Sequence, residues 1–350
     1  MKKNSSSQLR IKSILRRVMS FLLAGVTVLA TAWTFGALYY DGPASTPGGW
    51  NFLLALGWIA SVIVIVRKWS FAYLWQLRLL ICCLPVYGYW LTIRPSNDRD
   101  WQPEFAETGD VEVNGDSLTF HQFRNFDYEV DGSAKGKITE RWESRTHNMN
   151  KLTGIDLIFD AFGGKLMAHP MLSFDFGDEG HVLLSIETRK ETHESFSTIG
   201  GIYKMFELQY VFGDEADFVR VRTNIRKEPC FIYRTSTTAE DAKKLLLTCI
   251  RSQNYLKERP RWYNAITTNC TTSYRAQTPV KNRHPFDWRI LINGQLDLML
   301  YEKGALTTGG LEFEELRTQA FITDVAQAHP KGKGFSEAIR KGRVGFESKK

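Results

Sequence analysis

Three apolar blocks follow one another within the first 93 residues, and they limit the chain to a membrane part followed by a separate domain. Met19–Tyr40 (MSFLLAGVTVLATAWTFGALYY) has 22 residues and no charge. Trp50–Val66 (WNFLLALGWIASVIVIV) is also uncharged, and Phe71–Ile93 (FAYLWQLRLLICCLPVYGYWLTI) carries only Arg78. A helix needs about 20 apolar residues to cross a bilayer, so the pattern predicts three transmembrane helices over residues 19–93. Arg78 lies near one end of its block, where the aliphatic stem can snorkel. A cleaved leader is the competing reading of the first block. Its apolar run is longer than a leader core, and two more apolar blocks follow at once, which favours an anchor.

Charge placement gives the expected orientation. Residues 1–18 hold Lys2, Lys3, Arg10, Lys12, Arg16 and Arg17 and no acid, and Arg67, Lys68 and Arg78 flank the second loop. The first loop, DGPASTPGG, has one acid and no base. The positive-inside rule places the basic tail (1–18) and the second loop in the cytoplasm, and three crossings deliver residues 94–350 to the far side. In a bacterial cell that is an inner-membrane protein with a periplasmic domain. The formal charge is +7, but residues 94–350 alone sum to −1. No basic stripe marks the domain as a nucleic-acid binder.

The domain reads as α+β over 94–330, with a flexible Gly- and Lys-rich tail at 331–350. Residues 111–130 alternate about an NGD turn and predict a hairpin, as do 166–191. Residues 138–146, 154–160, 217–224 and 230–236 read as strands. Residues 238–258, with a Thr cap and early acids, predict a helix, as do 310–328, and another helix begins close to Cys270.

No phosphate-binding Gly loop, dinucleotide fingerprint, zinc spacing or nucleophile elbow occurs, so no cofactor or metal is expected. His169, His181 and His193 are twelve residues apart, which is not a metal-ligand spacing. Attention falls on Cys270 in NAITTNCTTSYR. A packed thiol, one half of a disulfide with Cys230 or Cys249, and a nucleophile are all open on the residues alone. A nucleophilic thiol needs a base and a group that orients the base, and a helix start favours its anionic form.

The 166–191 hairpin offers the base. Pairing its apolar residues as 176 with 182, 174 with 184 and 172 with 186 implies a tight turn in GDEG. In that register His169 stands opposite Arg189, with Glu187 on the diagonal at roughly 7–8 Å. Glu187 then orients His169, and Ser173 and Ser185 leave room for a helix on the same face. His181 lies at the turn, away from that position. His193 and His284 are poorer candidates.

Six segments in order, NDRDW, RNFDY, TERWESRT, FDFGDEGHVLLSIETRKE, RPRWYNAITTNCTTSYR and DWRILINGQLDLMLYEKGAL, span about residues 97–306. They resemble the periplasmic domain of the Lnb-type lipoprotein transacylase family, formerly a domain of unknown function. The resemblance implies a domain similar to the permuted papain-like, NlpC-type group that includes lecithin–retinol acyltransferase. In that group histidine precedes cysteine and an Asn-Cys pair opens the nucleophile helix, as His169 and Asn269–Cys270 do here. It also implies thiol-dependent movement of an acyl chain within a bacterial lipoprotein. Members similar to lecithin–retinol acyltransferase often carry a second histidine twelve residues after the first. His181 has that spacing, but the hairpin register favours Glu187 as third member.

The expected function is therefore a membrane-anchored, periplasmic Cys–His acyltransferase acting on a lipid ester or lipoprotein acyl chain. Cys270, His169 and Glu187 are its catalytic candidates. Arg189, Asn269, Asn264 and Tyr263 support them, the last two beside backbone N–H groups at an oxyanion. A cysteine amidase acting on peptidoglycan or peptide, and a non-enzymatic anchored scaffold, are the alternatives. The expected partners are membrane lipid or lipoprotein, and no nucleic acid.

Overall fold

The computed structural model describes residues 3–44, 49–69, 74–129, 137–329, 332 and 334–347. It divides into two compact units, residues 1–95 with 193–206, and residues 96–192 with 207–350.

In the first unit each apolar block forms a helix: α1 (Lys3–Tyr40), α2 (Trp50–Trp69) and α3 (Leu74–Thr92). Two of them hold stretches long and apolar enough to cross a membrane, Ser13–Tyr40 and Trp50–Lys68. This corrects the expected count of three. Gln76 and Arg78 open α3, and Pro85, Tyr87, Tyr89 and Trp90 fill its second half, so its apolar character is diluted. The start of that block, 70–73, and part of the first loop, 45–48, lie outside the described residues. The basic tail is likewise helical from Lys3, continuous with α1. Phe21, Leu29 and Trp50 are among the exposed large apolar side chains, as lipid-facing positions require. Inside the unit, Trp58 Nε1 donates to the Thr31 carbonyl at 3.0 Å and Trp33 meets Trp90 edge-to-face. Lys204, from the 193–206 segment, donates to the Trp90 and Ile93 carbonyls and so caps the end of α3.

The second unit is built on a mixed sheet. β1 (Asp110–Asn114) and β2 (Ser117–Arg124) form the expected first hairpin. β3 (Asp127–Glu129) and β4 (Lys137–Thr139) make a separate ribbon, and β5 (Trp142–Asn148) pairs with β2. β6 (Gly154–Gly163), β7 (Met167–Asp175), β8 (His181–Arg189), β9 (Glu207–Gly213) and β10 (Cys230–Arg234) complete the order β1-β2-β9-β8-β7-β6-β10. All neighbours are antiparallel except a parallel bridge between β2 and β9 at Arg124 and Gly213. The fold is α+β, as read from the sequence.

Side chains alternate across a strand, and both faces here are apolar. Ile158, Met171, Leu183 and Val211 meet Phe218, Val219, Ile322 and Ile339 on one face. Leu157, Phe159 and Tyr233 meet Ile290, Leu296 and Met299 on the other. The helices that supply these residues correct three sequence expectations. The 217–224 segment is not a strand but α4 (Glu215–Arg220) and a π turn (Val221–Ile225), started by Asp214, whose side chain accepts from the Ala216 N–H. After α5 (Ala239–Glu258) and α6 (Cys270–Gln277) come α7 (Leu296–Glu302), α8 (Phe313–Ala320) and α9 (Thr323–Ala328). The single helix expected at 310–328 is thus divided, because Phe321 bridges to Phe231 on β10. The segment read as a flexible tail contains α10 (Phe335–Arg340), with Phe335 and Ile339 in the core. Arg340 there is clamped between the buried carboxylates of Asp156 and Glu215. Residues 331, 333 and 348–350 of that tail lie outside the described ones.

Candidate active site

Cys270 occupies the first position of α6. Asn269 caps the helix: its side chain accepts from the Thr272 N–H, and Thr272 Oγ1 accepts from the Asn269 N–H, each at 2.8 Å. This reciprocal cap explains why a hydroxyl-rich, β-branched run starts a helix at all. It leaves Cys270 Sγ at the positive end of the α6 dipole, 7% exposed. Asn293 Nδ2 points at Sγ from 3.7 Å, and Thr271 Oγ1 lies 3.8 Å away. All five cysteines are free, and Cys230 and Cys249 are fully buried.

The β7–β8 hairpin brings His169 and Glu187 to this point in a different register from the expected one. The ladder pairs Asp175 with His181, Phe174 with Val182 and Leu172 with Leu184. The slip has a cause in the turn. Phe176 leaves the ladder, and its N–H donates to the Gly180 carbonyl to close a loop over 176–180, in which Gly177 and Gly180 take φ of +61° and +88°, the left-handed region that glycine adopts without strain. The slip is two residues, and a strand repeats every two, so every side chain keeps its face. Continued, the register sets Glu187 opposite His169 and removes Arg189 from that place.

The side chains agree. His169 Nε2 is 3.3 Å from Glu187 Oε1 and 2.7 Å from Ser185 Oγ, which in turn donates to Glu187 at 2.6 Å. Arg222, on the π turn, donates to Glu187 at 3.1 Å and lies 3.2 Å from Asp160, the β6 partner of His169. Burial alone would pull the His169 imidazole down. The Glu187 carboxylate, with hydrogen bonds to Cys270 and Glu187, outweighs it and holds the ring up at about 9. Burial pushes the Glu187 carboxyl up, and His169 and Arg222 override it and hold the group well below the usual carboxylate range. His169 therefore carries its proton at neutral pH, beside the Cys270 sulfur and an ionised acid.

Residues 138–294 match the family model described as the Lnb N-terminal periplasmic domain. This segment is an Lnb-type periplasmic domain. His169, Glu187, Arg222, Tyr263, Cys270 and Asn293 all lie inside it. No curated protein and no solved structure matches the chain.

Within the Lnb-type domain, the other expected residues divide. Tyr263 is buried near the thiol: burial, then the neighbouring Cys270 and Glu187, push its hydroxyl up. Asn264 serves its own turn, with Oδ1 accepting from the Ile266 and Thr267 N–H groups, so that oxygen is committed locally. Arg189 is also elsewhere. It donates to the Phe105 and Ala106 carbonyls and to Asn97, and stacks 4.1 Å from Trp101, fastening the 97–106 segment to β8. His181 stands among Asp175 and Glu215 at the far end of the hairpin, and His193 belongs to the helical unit.

Sequence reasoning missed Asn293 and Arg222. Asn293 accepts from the Ala168 N–H and donates to Thr271, tying β7 to the start of α6, each at 2.9 Å. Its signal was the Asn-Gly pair in DWRILINGQ. Arg222 was hidden by the strand reading of 217–224, yet a π turn is a frequent functional feature. Among the described residues no group of His, Cys, Asp and Glu could hold a metal ion.

Proposed function

We propose that the domain is a thiol acyltransferase acting on the acyl ester of a lipid or lipoprotein. The observation that carries the reading is the junction of a capped helix start bearing Cys270 with the ionised His169–Glu187 pair. The proton that leaves Cys270 already sits on His169 in the resting pair, and the thiolate Sγ attacks the ester carbonyl. Backbone N–H groups at the start of α6, with Asn293 Nδ2, face the oxygen that becomes negative. When the tetrahedral species collapses, the C–O bond breaks and His169 returns its proton to the departing alkoxide. The acyl group is left as a thioester on Cys270. An amine then attacks the thioester carbonyl, His169 accepts the amine proton, and the thiolate leaves. Glu187 holds the ring and its charge throughout, and Arg222 holds Glu187. Tyr263 and Asn269 support the thiol, the second by fixing the helix start. The chain order, His169 before Cys270, is that of the permuted papain-like arrangement.

We propose that α1 and α2 anchor the chain in the bacterial inner membrane. Reporter fusions after residues 44 and 70 test this.

Purified full-length protein should transfer acyl chains from a lipid or lipoprotein to an amine, and Cys270→Ser should abolish transfer. Transfer that persists in Cys270→Ser overturns the proposal. Activity on peptides or peptidoglycan in its place selects the amidase, and no activity with an intact fold selects the scaffold.

A further inference from the structure

Large apolar side chains of the second unit are exposed on two neighbouring segments. Trp288, Leu291 and Ile292 belong to one turn, closed where the Leu291 and Ile292 N–H groups donate to the Trp288 carbonyl at 2.9 and 3.2 Å. All three are exposed, Trp288 by 56%, and Phe286 stands exposed just before them. The turn between β6 and β7 supplies Phe162 and Leu166, the second 66% exposed. The two segments touch: a Cβ added at Gly294 would collide with the backbone of Gly164, Lys165 and Leu166. Every exposed Phe and Trp among the described residues of the second unit lies on these segments. Apolar area left in water forgoes roughly 25 cal/mol per Å² of burial, so such a cluster marks a surface that another apolar phase covers.

The patch adjoins the thiol. Asn293 follows Ile292 and points Nδ2 at Cys270 Sγ from 3.7 Å. Its Oδ1 accepts from the N–H of Ala168, which lies between Leu166 and His169 in the chain. The same two segments thus turn apolar side chains outward and site residues inward.

Basic residues border the patch. Lys165 sits in the β6–β7 turn, Lys281 and Arg283 precede Phe286, and Arg289 follows Trp288. Asp287 and Glu302 both meet Arg289, and Lys281 lies 3.7 Å from Asp241. Arg283 donates to the Ala276 and Thr278 carbonyls, and neither it nor Lys165 meets a carboxylate among the described residues. Trp, Phe and Leu beside Lys and Arg suit a bilayer interface. The apolar groups enter the acyl boundary, and the cations stay at the level of anionic headgroups.

We infer that this patch docks into the membrane leaflet facing the domain and seats Cys270 at the depth of the lipid esters. The inference rests on the acyl-transfer reading and deepens it: the acyl donor enters from the bilayer plane without crossing water.

The test reads depth. Full-length protein with Cys82→Ser and Cys270→Ser keeps only buried cysteines, Cys83, Cys230 and Cys249. Into it go, one at a time, Leu166→Cys, Trp288→Cys and Ile292→Cys, and Val113→Cys as a reference on β1, the opposite edge of the sheet. Each is labelled with an environment-sensitive fluorophore and placed, one copy per nanodisc, in phosphatidylethanolamine with phosphatidylglycerol, after its thermal unfolding is matched to the parent. The labels at 166, 288 and 292 should lose most of their emission to nitroxides carried on the lipid acyl chains, and little to iodide in the buffer. The label at 113 should show the reverse. Adding Leu291→Ser to Trp288→Cys should shift that label toward iodide. Labels at 166 and 288 that respond like the one at 113 overturn the docking surface. Protection from iodide without nitroxide quenching, seen only in discs holding two copies, makes the patch an interface between copies and overturns the membrane assignment. Because Cys270→Ser forms no thioester, these outcomes are independent of whether the acyl-transfer reading holds.

Discussion

Replacing Glu187 with Gln removes one charge from a site where charge sets the state of the base. In the native chain His169 titrates at about 9 against an ordinary 6.5, and burial opposes that rise. The difference corresponds to about 3 kcal/mol of preference for the imidazolium, and Glu187 is its largest source. In Glu187→Gln the burial remains and the compensating charge does not, so the ring should titrate at or below 6.5. The raised value also has a consequence for stability. Its contribution is complete below pH about 6.5 and is lost as pH rises through about 9, so the variant should lose most stability relative to wild type in the acidic range. Selective ¹³C labelling of the histidine Cε1 positions, in the full-length protein in micelles, reads the titration directly. The chain has seven histidines, and the resonance absent from His169→Asn assigns the one in question. Thioester formation at neutral pH should fall by about 10² or more, in the range usual for loss of a working acid–base group. A midpoint unchanged in Glu187→Gln, or a wild-type midpoint below 7, refutes the electrostatic account of the site.

Three further perturbations follow from the same structure. Asn293→Ala strips a partner from the buried Ala168 N–H and the donor from Sγ, and should cost about 1–3 kcal/mol in unfolding measurements while lowering the acylation rate. Arg340→Met leaves Asp156 and Glu215 facing each other in the core, and should cost about 3–5 kcal/mol by denaturant unfolding, as breaking a buried ion pair does. Glu228 is raised to about 7 by burial and the neighbouring Asp160 charge, so stability should decline as pH rises from about 4.5 through 7, and Glu228→Gln should flatten that decline in pH-dependent unfolding curves.

The legible parts of this molecule are those that a local period determines. The hairpins at 111–130 and 166–191, the Thr238-capped helix and the helix start at Cys270 all carry their own turn or cap residues. The His169–Glu187 pairing survived an error in register because the error was two residues, which preserves the face, whereas Arg189 depended on the register itself and was lost. The illegible parts depend on distant partners. The π turn holding Arg222 looks like an alternating strand until Asp160 and Glu187 are seen to pair with it. The last helix looks like a Lys-rich tail until Arg340 is seen between two buried acids. Asn293 reaches Cys270 from 23 residues away through a loop, which no spacing rule anticipates.

The most direct test of the central claim is the mass of Cys270. Full-length protein is incubated with membrane phospholipid and a lipoprotein, quenched in acid and digested, and the peptide containing NAITTNCTTSYR is weighed. An acyl adduct on Cys270 that hydroxylamine releases, that is absent in His169→Asn, and that is consumed when an amine acceptor is supplied is the predicted result. An unmodified Cys270 in a preparation that still transfers acyl chains would contradict the account.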